Sequence, residues 1–162
     1  MNNLYDRAFD LLMINEGGYV CDPHDKGGET KFGISKKAYP HEDICNLTLE
    51  RAKEIYKRDY WDRCKCDFLP PALAVAVFDF AVNSGVKRAI RYLQNCFYGV
   101  KVDGIIGNQT IAACNRVPPK RILDVYIEAR FEFLQSLKDF KHFGRGWTNR
   151  VERVRKFCEE LI

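Results

Sequence analysis

Residues 70–85 read PPALAVAVFDFAVNSG, and this stretch decides the fold. From Ala72 to Val82 it is apolar nearly all round, broken only by Asp79, and it is too long for most strands. The reading it supports is a helix buried on every side. Pro70-Pro71 supplies a start, because proline is tolerated in the first helical turn, and Asn83-Ser84-Gly85 closes the element. A helix with no polar face must be surrounded by others, so the rest of the chain should supply amphipathic partners.

It does so at helical spacing on both sides. Leu4, Ala8, Leu11 and Leu12, widened by Tyr5 and Phe9, predict a helix over residues 3–15 that ends at Gly17-Gly18. Thr48 can cap a helix carrying Leu49, Ala52, Ile55, Tyr56 and Tyr60, with Glu50 favourably placed in its first turn. Val86, Ala89, Ile90, Leu93 and Phe97 form a further stripe, and Asp103-Gly104 turns the chain into a short helix around Gln109 to Cys114. After Pro118-Pro119 comes a helix bearing Ile122, Val125, Tyr126, Ala129, Phe133, Leu137 and Phe140. Gly144 and Gly146 are expected to interrupt it before Trp147, Val151, Val154, Cys158 and Leu161 resume the register. Between the first two helices, residues 19–34 are rich in Gly, Asp and Pro, which predicts turns with at most a small hairpin around Lys31 to Ile34. The expectation is an all-α fold of six or seven helices in one compact domain, 1–162. Within it, two sequence modules, 1–88 and 89–162, meet.

At 162 residues and 46% hydrophobic, the chain can build one sizeable core. Its net charge of +4 is spread without a run of five like charges, which argues against a phosphate-tracking surface and against nucleic acid as a partner. A polyanionic wall polymer suits such a surface. No apolar stretch reaches 18 residues, so membrane insertion is not expected, and Asp6, Arg7 and Asp10 fall where a signal peptide needs an unbroken apolar run. The expectation is a protein cytoplasmic on synthesis. Seven cysteines without zinc-type spacing read as reduced, mostly buried thiols, and neither a metal nor an organic cofactor is expected.

The chemistry concentrates in Glu16-Gly17-Gly18-Tyr19. A carboxyl at a helix C-terminus faces the negative end of the macrodipole, which favours its protonated form. A second carboxylate on the following loop, either Asp22 or Asp25, can stay ionised. Two carboxyls driven apart in this way are what glycoside hydrolysis requires, one to protonate the leaving oxygen and one to activate water. Tyr19, Phe32, Tyr56, Tyr60 and Trp61 are the aromatics from which one or two sugar contacts are expected, with Tyr60 and Trp61 the better candidates. Asn83, ending the central helix, serves either as a polar cap or as a contact to an N-acetyl group.

The ordered series Asn15-Glu16-Gly17-Gly18-Tyr19-Val20, Asp22-Pro23, Asp25, Gly27-Gly28, Thr30 and Gly33-Ile34 resembles the N-terminal signature of glycoside hydrolase family 108, the phage and prophage N-acetylmuramidases. Residues 78–85, Leu93-Gln94, residues 103–107 and residues 146–150 resemble the peptidoglycan-binding-type module that accompanies it. The resemblance implies a lysozyme-like helical fold with Glu16 as the catalytic acid. The order of Glu, Asp and Thr is also similar to that of phage-type lysozymes, which implies that Asp25 and Thr30 position the attacking water, with Asp22 as the alternative carboxylate. The implied substrate is the β-1,4 bond between N-acetylmuramic acid and N-acetylglucosamine of peptidoglycan glycan strands. The implied setting is a monomeric endolysin reaching the wall through a holin pore. A lytic transglycosylase using the same Glu, or a non-catalytic wall-binding or secretion-associated protein, are the competing readings.

Overall fold

The computed structural model describes residues 3–16, 18–21 and 28–162; Asp22 and Asp25 lie outside them. The chain divides into two compact units, residues 1–59 and 60–162.

In the first unit, helix α1 spans Leu4–Asn15. Asn3 caps it reciprocally: its side chain accepts from the Asp6 amide at 2.8 Å, and the Asp6 carboxylate accepts from the Asn3 amide at 3.2 Å. The apolar stripe buries Tyr5, Ala8, Phe9, Leu11 and Leu12. Three short antiparallel strands follow in the order β1 (Val20–Cys21), β2 (Glu29–Lys31) and β3 (Ile34–Ser35). The second and third form a hairpin whose two-residue loop is Phe32-Gly33, with φ of 53° and 80°. Positive φ at both positions is the handedness that matches strand twist. The expected hairpin around Lys31 to Ile34 is therefore present, as part of a small three-stranded sheet. Helix α2, Leu49–Tyr56, starts at Thr48, whose hydroxyl accepts from the Arg51 amide at 3.1 Å. It closes the unit's core with Ala52, Ile55 and Tyr56, joined by Ile34, Ile44 and Leu47. Lys53 pairs with Asp6 at 2.6 Å and holds that carboxyl below its ordinary value, tying α2 to α1.

A π-helical turn, Lys57–Trp61, continues α2. Its i→i+5 spacing moves the inward position from Tyr60, four residues after Tyr56, to Trp61, five residues after it. Trp61 is accordingly 1% exposed, packed edge-on against Phe78 and donating its indole N–H to Asp67 at 2.8 Å. The expectation that Trp61 contacts a sugar is corrected: the ring belongs to the core.

The second unit is built round α3, Pro71–Ser84, in which Ala72 to Ala81 are all buried. Around it lie α4 (Val86–Gln94), α6 (Pro119–Ser136) and α7 (Phe140–Glu159), with α5 (Asn108–Arg116) packed on α6. The described residues thus form seven α-helices and one small sheet, a mainly helical lysozyme-like fold. Phe80 of α3 meets Tyr92, Tyr126 and Phe133 of its neighbours at ring distances of 5.4–5.9 Å.

Asp79, the polar residue within the apolar run, anchors this packing. Its carboxylate accepts from Arg130 of α6 at 2.7 Å and from Arg150 of α7 at 3.1 Å. Burial pushes the Asp79 carboxyl up, but the two guanidiniums outweigh it and hold the group below its ordinary value. Arg130 also lies over the Phe80 ring and donates to the Asn83 amide oxygen at 3.3 Å.

Gly144 and Gly146 do not interrupt a helix, contrary to expectation. The break falls earlier, at Leu137, whose extended backbone ends α6, and α7 runs through both glycines. Gly144 is buried against the Phe140 ring, where an added Cβ would come within 2.8 Å of ring carbons, whereas a Cβ on Gly146 would meet nothing within 4 Å. A mid-helix glycine costs about 1 kcal/mol relative to alanine, an amount packing readily overrides. Cys64, Cys66, Cys114 and Cys158 are buried, Cys96 is half-buried, and Cys21 and Cys45 are exposed, all as free thiols.

Two outcomes are expected. Gly146→Ala should raise the melting temperature, by about 1 kcal/mol of added stability, while Gly144→Ala should not, because Phe140 must move. Asp79→Ala, which removes the anion that Arg130 and Arg150 share, should cost about 3–5 kcal/mol in denaturant unfolding. Because the folded carboxyl titrates below its unfolded value, that contribution is complete at neutral pH. It is lost as pH falls below 3.8 and through the folded value. Wild type and Asp79→Asn should therefore converge in stability on acidification.

Candidate functional site

Glu16 is the residue at which α1 stops. Its backbone is extended, with φ −102° and ψ 134°, and no basic residue occupies the last helical turn. The side chain is half-buried. Where it goes is fixed by the hairpin. An ideal Cβ built on Gly33 would sit 2.6 Å from Glu16 Oε2, 2.8 Å from Glu16 Cδ and 2.5 Å from the Tyr56 hydroxyl oxygen. The carboxyl of Glu16 and the hydroxyl of Tyr56 thus both occupy the space a side chain at position 33 would fill. Only glycine admits them, and its φ of 80° separately favours glycine.

Tyr56 itself is 3% exposed, and its hydroxyl donates to the Phe32 carbonyl at 2.7 Å, which ties the end of α2 to the hairpin loop. Three elements therefore converge on Glu16: the helix that presents it, the turn that leaves room for it and the helix that closes the turn. The sequence marked Gly33 within a motif and Tyr56 as an inward helical position. That the two meet at Glu16 is visible only in the fold.

Thr30 is the central residue of the middle strand, paired with Val20 on one side and Ser35 on the other, and is half-buried. Strand alternation sends its side chain to the face opposite Glu29 and Lys31. Tyr19 is exposed and donates to Glu29 at 2.7 Å, a bond that raises its phenol above the ordinary value and ties it to β2. Asp25 and Asp22, the expected second carboxylates, fall in the segment 22–27 outside the described residues. In the second unit, Tyr60 is half-buried in the π turn. Asn83 is exposed at the last turn of α3 with its amide oxygen engaged by Arg130 and Ser84.

The motif residues of the second half are structural where their contacts are seen. Asp79 and Arg150, from two separate motif segments, bind each other. Gln94, 1% exposed, uses its whole amide to shape the loop at 103–105. Its nitrogen donates to Asp103, to the Ile105 carbonyl at 2.9 Å and to Thr110, and its oxygen accepts from the amides of Asp103 and Gly104. The Ile105 amide and the Gln94 nitrogen in turn hold the Asp103 carboxyl below its ordinary value.

Comparison with known proteins gives a consistent picture. The family model described as glycosyl hydrolase 108 matches residues 9–85, and that described as a predicted peptidoglycan domain matches residues 85–152. The two matches meet at Gly85, inside the second compact unit. Among solved structures, SagA of Brucella abortus is similar to this chain at 36% identity with a TM-score of 0.86, covering 97% of this chain and 94% of that one. A search of curated proteins found no match.

Gly33→Ala tests the geometry directly. The added methyl must displace the Glu16 carboxyl, the Tyr56 hydroxyl or both, at a left-handed φ. A loss of about 1–3 kcal/mol is expected in thermal or denaturant unfolding.

Proposed function

Since this chain belongs to glycosyl hydrolase family 108 and carries the peptidoglycan domain joined to it, we propose that it is an N-acetylmuramidase with Glu16 as its general acid. The observation that supports this reading is the seating of Glu16. A carboxyl at a helix end is packed against a glycine and a buried tyrosine instead of being left to solvent.

In the proposed reaction the Glu16 proton passes to the bridging oxygen of the β-1,4 bond as the C1–O bond breaks. The bonding pair leaves with that oxygen, which becomes the 4-hydroxyl of N-acetylglucosamine. Water adds to the oxocarbenium-like C1 of N-acetylmuramic acid and gives its proton to Asp25, with Thr30 hydrogen-bonding the water. Asp22 is the alternative acceptor. Exchange with solvent restores the proton on Glu16 and removes the one on the second carboxylate. One water is consumed and one reducing end appears.

Tyr19, Tyr60 and Asn83 complete the proposal as residues contacting the glycan. The biological setting we propose is a phage or prophage endolysin, acting as a monomer on the wall after release through a holin-type pore. No helix among the described residues is long and apolar enough to cross a membrane.

Glu16→Gln keeps the shape of the side chain but has no carboxylic proton to donate. Turnover of purified peptidoglycan should fall at least ~10²-fold, with an unchanged melting temperature. Mass spectrometry of wild-type digests should show reducing muramic ends. Anhydro-muramic ends would instead identify a transglycosylase, and full wall clearing by the variant would remove Glu16 from the chemistry.

A further inference from the structure

Tyr56 contributes one hydroxyl and therefore one proton. At 2.7 Å from the Phe32 carbonyl, an oxygen that can only accept, that proton lies in the Tyr56–Phe32 bond. What remains on the Tyr56 oxygen is lone pairs. This oxygen and Glu16 Oε2 lie 2.5 and 2.6 Å from the same point, the one a Cβ on Gly33 would occupy, so both groups face one small space above that glycine.

We propose that Tyr56 is a positioning residue for the acid. Its hydroxyl oxygen accepts a hydrogen bond from the protonated Glu16 carboxyl and opposes the ionised one, so that Glu16 keeps its proton until a glycosidic oxygen takes it. This rests on the reading of Glu16 as the general acid and adds what keeps it loaded.

Hydrogen bonding to the neutral form of a carboxyl raises its pKa, and a buried partner strengthens the effect because water does not compete. The orientation is enforced by backbone: the Phe32 carbonyl is fixed by a left-handed loop residue, so the tyrosine cannot turn its proton toward Glu16 without leaving that carbonyl unpaired. After proton transfer the Glu16 carboxylate faces lone pairs on one side, which favours its reprotonation and readies the next cycle.

Of the elements that meet at this point, the hairpin contributes Gly33, which does not titrate, and α2 contributes Tyr56. Asp22, His24, Asp25 and Lys26 titrate too and lie in the segment outside the described residues. Comparing Tyr56→Phe with wild type cancels their effect to first order.

The test is the pH dependence of kcat/KM on solubilised glycan strands for wild type, Tyr56→Phe and Glu16→Gln. In Tyr56→Phe the alkaline limb should move about one unit toward acid. Activity at neutral pH should fall about tenfold, while activity on the acid side stays near wild type and KM is unchanged. An alkaline limb that stays in place while Glu16→Gln is inactive overturns the role of Tyr56 and leaves the acid assignment standing. An active Glu16→Gln overturns the assignment on which both rest.

Should Tyr56→Phe fold poorly, wild type still exposes the proposal to failure. Carbon NMR titration of the Glu16 side-chain carboxyl should give a midpoint above the usual ~4.3 of a glutamate, and a midpoint at or below it overturns the proposal.

Discussion

One carboxylate shared by two guanidiniums organises the helical body of this protein. Asp79 lies on the most apolar helix, where an unpaired charge would be prohibitive, and the arginines that neutralise it arrive from α6 and α7. Apolar packing alone would let helices slide along α3 with little change in buried area. The ion cluster defines a single register, since only one placement brings Arg130 and Arg150 to the same anion. The Phe80 ring and the Asn83 amide extend the cluster along one side of α3, so the end of the central helix is specified with its middle. The match between the two family models and the chain changes over at Gly85, yet α3 and α4 on either side of it belong to one unit. The changeover visible in sequence therefore falls inside one compact unit.

Much of this was legible beforehand because it rests on local rules. An apolar run with proline at its start and glycine after its end can hardly be anything but a buried helix. Thr48 announced a cap that the structure contains. The misreadings have equally local causes. Gly144 and Gly146 look like breakers because propensity is the guide a sequence offers, and propensity is worth only about a kilocalorie, while the Phe140 ring fills the space beside Gly144. Trp61 falls in the core and not among the sugar contacts because a regular 3.6-residue period does not hold across a turn that winds more widely.

The site divides in the same way. Glu16 stands out in sequence through its placement at a helix end before paired glycines, and Gly33 through its place in an ordered motif. Tyr56 stands out in sequence only as an inward residue of α2 and as one of five aromatics for a sugar contact. Periodicity says which way a side chain faces and not what its terminal atom will meet, and here it meets a loop 24 residues earlier in the chain. The peptidoglycan-domain motifs show the converse: Gln94, Asp103 and Arg150 are polar residues in a recognisable pattern, and their contacts shape backbone and core.

The two populations of charge in this molecule respond differently to their surroundings. The Asp79–Arg130 pair is sealed from water and mobile ions do not reach it, whereas Lys120 with Asp124 and Arg51 with Glu54 are open to both. Most of the +4 excess lies with the open population. Brine would thus mask the outer charges without loosening the skeleton, so surface attraction and integrity answer to different conditions.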